Sequence, residues 1–216
     1  RPALAADRAI VILDASGSMW AQINVKSRIY SARETLQTVL AGVPADLELG
    51  FMAYGHRSKG DCNDIETLVE PAAGTADAIS AAAAQLSPKG KTPLSASVKM
   101  AAEQLKYKAD KATVILITDG LETCDADPCA LATELKQAGD DFKVDVVGLA
   151  LSKEEGDQVR CIADNTGGQY LSADDADGLE AALTTAVTEI APPAEPAPPS
   201  SSEQQSGVNF KPVAVL

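Results

Sequence analysis

The run AIVILD at residues 9–14 most constrains what this chain can become. It is continuous and β-branched, with no polar alternation, as in a strand buried on both faces; such strands belong to parallel sheets covered by helices. Asp14 stands where that strand leaves its sheet, and ASGSMW follows at once. A carboxylate and two hydroxyls crowded into so short a segment read either as a turn or as a site for a hard metal ion.

Further strand-like stretches are LELGFMAYG (47–55), IETLVEP (65–71), ATVILITD (112–119), FKVDVVGLAL (142–151) and GQYLSA (168–173). Helical patterns alternate with them over 26–41, 75–86, 94–108, from DPCALATELKQAG, near 153–165 and over 175–190. This alternation predicts a doubly wound, Rossmann-like α/β fold, a mostly parallel six-stranded sheet with helices on both faces. The short step from 55 to 65 allows one antiparallel edge strand. The expected folded unit is 7–190. Residues 1–6 read as the small-residue remnant of a secretory signal or an N-terminal tail. Residues 191–207, rich in proline and serine, read as a linker, and VNFKPVAVL (208–216) as the first strand of a following domain or a docked tail.

Charge narrows the partners. Thirty-one acidic residues against 18 basic ones leave a formal charge of -13, and a chain this acidic offers no Lys/Arg surface for a nucleic-acid backbone. No run is long and apolar enough to span a membrane. A single histidine, His56, excludes His-rich zinc sites. The four cysteines, Cys62, Cys124, Cys129 and Cys161, fit two disulfides in an oxidising compartment, hence a periplasmic or extracellular protein. Cys62 and Cys161 belong to opposite flanks of the expected sheet, beyond the roughly 7 Å Cα limit. Two sets remain: Cys62 with Cys124 and Cys129 with Cys161, which we favour, or Cys62 with Cys129 and Cys124 with Cys161.

In open sheets of this kind ligands sit beyond the carboxyl ends of the strands. Asp14 and Asp119 each end a central strand, so two residues about a hundred positions apart reach the same rim. The oxygen donors available there are Asp14, Ser16, Ser18, Thr92 of GKTPL, and Asp119 of ITDG. Such a set suits Mg2+, with Mn2+ or Ca2+ as alternatives. Each residue also has a plainer reading: turns for Asp14, Ser16, Ser18 and Asp119, a helix cap for Thr92. Trp20 reads as a contact residue or as a wedge against the first helix. His56, Asp61, Asp64 and Glu122 fall on loops at the same rim, either as part of a partner-binding surface or as solvated loop.

DASGS, the threonine of KTPLSASV and the strand-ending TDG, in that order, resemble the metal-ion-dependent adhesion site of the von Willebrand factor A domain, the fold shared with integrin I domains. The resemblance covers roughly residues 7–190. It implies that Ser16 and Ser18 contact the metal directly, that Thr92 is a switching ligand, and that Asp14 and Asp119 act largely through water. YGHR, GDCNDIE, TDGLETC and CIADNTGGQY further resemble bacterial secreted A-domain proteins.

The function this implies is a non-enzymatic, adhesion-type module whose Mg2+ is completed by a Glu or Asp side chain of a partner protein. The alternative is a haloacid-dehalogenase-like phosphotransferase with Asp14 as nucleophile. That chemistry wants a second acid two residues on, and Ser16 stands there. A structural spacer is the third reading, and it leaves the intact motif without a purpose.

Overall fold

The computed structural model describes residues 7–190; the expected tail at 1–6, linker at 191–207 and strand at 208–216 lie outside the described residues. Strand β1 (Arg8–Asp14) leads through a 3-10 turn (Gly17–Trp20) into a small hairpin, β2 (Gln22–Ile23) and β3 (Lys26–Ser27). Then follow α1 (Arg28–Leu40), β4 (Glu48–Tyr54), β5 (Ile65–Ala72), α2 (Ala76–Ala84) and α3 (Leu94–Gln104). The remainder is β6 (Ala112–Thr118), α4 (Pro128–Ala138), β7 (Phe142–Leu149), α5 (Lys153–Thr166), β8 (Tyr170–Ala173) and α6 (Ala176–Ile190).

The main sheet has six strands in the order β5-β4-β1-β6-β7-β8. All neighbours pair in parallel except β4 and β5, so the expected antiparallel edge is present. Chain order reverses beside β1, which pairs with β4 on one side and β6 on the other, placing the carboxyl ends of β1 and β6 together. Ala9, Val11 and Leu13 of β1 face a core shared with α1, α2 and α6, while Ile10 and Ile12 face a second core under α3, α4 and α5. Both faces are covered, which is why AIVILD needs no polar alternation.

Local chemistry explains several boundaries. Ser152 and Glu155 form a reciprocal capping box at the start of α5, and Gly167 ends that helix in the left-handed region at φ 78°. Asp127 accepts from the Cys129 and Ala130 amides to open α4, with Pro128 in the first turn. The helix expected from 26 begins instead at Arg28, because Asn24 takes φ 57° and folds residues 22–27 into the hairpin. The helix expected to reach 108 stops at Gln104, since Lys106 is left-handed at φ 56°. At the antiparallel edge, the β4–β5 register shifts between Leu49 and Met52, and Pro71 packs directly over Gly50.

Two disulfides are present, Cys62–Cys124 and Cys129–Cys161, with Cα separations of 5.7 Å and 5.3 Å. The first ties the β4–β5 loop to the loop after β6; the second staples α4 to α5. In the chain-entropy view, opening a 62-residue crosslink removes about 4 kcal/mol of stability. A Cys62→Ser/Cys124→Ser variant is therefore expected to unfold at clearly lower urea, with a somewhat steeper denaturant slope as the uncrosslinked chain unfolds to a more expanded state; an unchanged midpoint would count against that value.

Candidate metal site

The site grows out of the end of β1. Asp14 is wholly buried, and its carboxylate accepts from the Ser16 amide at 2.8 Å and the Thr118 hydroxyl at 2.8 Å, with a longer contact to the Asp119 amide at 3.4 Å. Tyr54 donates its phenol to Thr118 Oγ1 at 3.2 Å, backing the network from β4. One carboxylate thus organises the ends of β1 and β6 and the first turn of the serine loop.

The hydroxyls come next. Ser16 Oγ and Ser18 Oγ lie 3.0 Å apart, and Ser18 Oγ donates to Asp119 Oδ1 at 2.6 Å. Thr92 closes the group from a third loop: a Cβ built on Gly120 would lie 4.0 Å from both Ser18 Oγ and Thr92 Oγ1. Asp14, Ser16, Ser18, Thr92 and Asp119 are therefore neighbours in space, although the chain separates the first and last by 105 positions.

Backbone contacts hold the three loops in register. Ser16 bridges Gly90 in parallel fashion, the Gly17 amide donates to Gly90 O at 3.1 Å, and the Gly90 amide donates to Gly55 O at 2.7 Å. A Cβ on Gly90 would collide with Ser58 O, and one on Gly55, itself at φ 72°, would come within 2.7 Å of Lys91 O. Glycine at 90 thus serves close approach between backbones.

The donors are hard oxygens. Among the described residues no three His, Cys, Asp or Glu side chains converge in a group able to hold a metal. An ion at this rim would therefore depend on the serine and threonine hydroxyls as much as on the carboxylates, which suits a small, hard dication that keeps part of its water. Thr92 Oγ1 makes no hydrogen bond to protein among the described residues, so its lone pairs are available for that role. On donor chemistry, the residues fit such an ion.

The other rim residues divide by what they touch. Trp20 is 54% exposed, with its indole N–H donated to Pro88 O at 2.8 Å. Asp61 is exposed and accepts from the Asn63 amide at 2.8 Å. Asp64 is buried: its carboxylate accepts from the amides of Arg57 and Ser58 and from Arg57 Nε, shaping the loop from within. Glu122 spends both oxygens on backbone amides, Ser95 at the start of α3 and Cys124. His56 Nε2 lies 2.9 Å from Glu66 Oε2. Thr92 does not cap α3, whose N-cap is Pro93, without a side-chain bond.

Sequence reasoning missed Arg28. Its Nη1 donates to Asp119 Oδ2 at 2.9 Å, so both oxygens of Asp119 are engaged. A basic residue in the first turn of α1 runs against the helix dipole, and this was the available signal.

A doubly wound sheet carrying acid and hydroxyl loops at the switch between β1 and β6 defines an A-domain architecture. The chain belongs to the von Willebrand factor type A domain family, whose model matches residues 9–122. Domains of this family are generally non-enzymatic and are often used in protein interaction or adhesion. Two uncharacterized Bacillus subtilis proteins are related: YwmD is 28% identical over 183 residues, covering 80% of this chain and 81% of its own. YwmC is 28% identical over 173 residues, covering 76% and 75%. The fold resembles a von Willebrand factor type A structure from Catenulispora acidiphila, at 18% identity and TM-score 0.67, over 84% of this chain and 42% of that one. It also resembles the vWF domain of the type V pili tip protein Mfa5 from Porphyromonas gingivalis, at 13% identity and TM-score 0.63, over 84% and 94%.

Burial, and then the neighbouring charge of Asp119, raise the Asp14 carboxyl from 3.8 to about 6. The folded protein therefore holds this proton more tightly than the unfolded chain. The Asp14 contribution is most favourable below about pH 4 and is lost as pH rises to about 6, on the order of 3 kcal/mol in all. In metal-free protein, urea unfolding should show the stability of the parent relative to Asp14→Asn falling across that window. A parent and variant with parallel profiles would refute the assignment.

Proposed function

We propose that this domain is a metal-dependent protein-binding module of a secreted bacterial protein, in which a divalent cation at the sheet rim is completed by an acidic side chain of the partner. The observation that carries the reading is the convergence of the Ser16, Ser18 and Thr92 hydroxyls in front of two carboxylates, from loops that the chain keeps far apart. Mg2+ fits this all-oxygen set best, with Mn2+ and Ca2+ as chemically related occupants.

In this reading Ser16, Ser18 and Thr92 supply direct oxygens. Ser18 can use its lone pairs toward the ion while its O–H goes on donating to Asp119 Oδ1, which leaves Asp119 behind the ligating hydroxyl. Asp14 holds the loop through the Ser16 amide and contributes its charge from behind. When bound, the ion supplies an electrophilic position for a carboxylate oxygen. Residues 88–90 are pinned to Trp20, Ala15, Gly17 and Gly55, so any shift of Thr92 is confined to the residues after Gly90 and has to break its amide and carbonyl bonds to Thr123.

Several features support a partner-facing role. The exposed apolar side chains Trp20, Val25 and Tyr30 follow the serine loop, on the 3-10 turn, the hairpin and α1 in that order. Lys89 and Lys91 are exposed beside it, and among the described residues neither forms an ion pair, which offers favourable charge to an acidic partner despite the acidic chain as a whole. Two disulfides accord with an oxidising compartment. No helix among the described residues is long and apolar enough to cross a membrane. A nucleophilic role for Asp14 is disfavoured by its complete burial and its hydrogen bonds.

Calorimetric titration with Mg2+ or Mn2+ tests the reading. The parent should give a saturable heat near one ion per chain, and Ser18→Ala should weaken it by about tenfold or more. Ser18→Ala is preferred to Asp14→Ala because removing Asp14 leaves the Ser16 amide without its acceptor and takes from the Thr118 hydroxyl the shorter of its two contacts. A parent that binds neither ion, or a variant that binds like the parent, would remove the site.

A further inference from the structure

Arg28 occupies an unusual position. Its side chain is only 18% exposed, the Asp119 side chain it meets is fully buried, and the two are joined at 2.9 Å. It is the first residue of α1, where the helix dipole disfavours a cation and where Ser27 gives no side-chain cap. Its Nε is buried and, among the described residues, has no hydrogen-bond partner. Each of these features is unfavourable in itself, and the contact with Asp119 is what they have in common. The hairpin makes the placement: Asn24 turns the chain, the Arg28 amide donates to Ala21 O at 2.9 Å, and the guanidinium is directed back across the rim.

We propose that Arg28 is a tethered cation that keeps Asp119 out of the direct ligand set of the metal, so that the loaded rim retains positive charge for an acidic partner. This rests on the metal reading of the preceding section. Asp119 Oδ2 points to Arg28 and Oδ1 accepts from Ser18, so neither oxygen is free to approach an ion held in front of the hydroxyls without breaking a charge-assisted bond. The charge count points the same way. Two carboxylates, Asp14 and Asp119, stand behind the hydroxyls, and Arg28 already offsets one of them. A dication added to this arrangement leaves the rim with a positive surplus, and a carboxylate from outside neutralises it. Arg28 therefore lowers affinity for the metal and raises affinity for what binds the metal. It also supplies the cation that Asp119 needs when no ion is bound, which lets the rim keep its shape.

Arg28 acts through Asp119 and is a positioning residue, so the test separates charge from packing. Mn2+ alone is titrated by calorimetry into the parent, Arg28→Gln, Arg28→Met, which keeps the buried stem, and Arg28→Lys, which keeps the charge. The uncharged variants should bind Mn2+ about tenfold more tightly, since a like charge near the ion is gone, and Arg28→Lys should stay near the parent. Acetate is then added to the Mn2+-loaded proteins while water proton relaxation is followed. It should displace metal-bound water at lower concentration in the parent than in Arg28→Gln or Arg28→Met. Uncharged variants that bind Mn2+ no more tightly than the parent, or that take acetate as readily, would overturn the role of Arg28 and leave the metal site standing. A parent that binds no Mn2+ would overturn the metal reading, and this proposal with it.

Discussion

The arrangement of the rim depends on one buried carboxylate. Asp14 terminates a strand covered on both faces, where an ionised acid is costly unless its oxygens are engaged. The Ser16 amide and the Thr118 hydroxyl engage them, and these two bonds join the end of β1 to its own loop and to β6. The serine loop takes its shape from the first, and the position of Asp119 follows from the second. Replacing Asp14 by an apolar residue of similar size would remove the bonds that join the serine loop to the end of β6, and leave the ties between the serine loop, the 88–91 segment and the β4–β5 loop in place.

Most of the architecture was legible because buried parallel strands announce themselves as continuous β-branched runs. AIVILD and ATVILITD pair side by side, and their terminal acids meet for that reason. Boundaries were less legible where a single residue adopted a left-handed conformation. Asn24 and Lys106 each moved a helix end by two or more residues, and neither residue type demands that conformation from sequence alone. The oxygen donors of the rim could be named because their loops follow recognisable strands. Arg28 could not, since its significance lies in a contact across the fold, a guanidinium from α1 on an acid after β6. Asp64 could be placed at the rim, but its role there, a buried carboxylate that gathers amides of its own loop, could not be read from a loop position alone.

The loops that carry the hydroxyls are held by several independent devices. Parallel bridging joins Ser16 to Gly90, close backbone packing joins Gly90 to Gly55, and Cys62–Cys124 joins the β4–β5 loop to the one that follows Asp119. Glu122 adds a further tie to the start of α3. Ordering entropy for these segments is met during folding, so little of it remains to be lost when a ligand arrives. Such a rim favours recognition of a fixed geometry over adaptation to many.

The two ends of the sheet have a bearing on how this protein meets other chains. An uncovered strand edge is a template for a further strand, whether from a partner or from a second copy. Here one edge is β5, irregular in register and interrupted by Pro71, which has no amide hydrogen to donate. The opposite edge, β8, is only four residues long. Strand addition is thereby discouraged on both flanks, a safeguard against cross-β assembly at high local concentration, and selective encounters are left to the loops above the carboxyl ends of the strands.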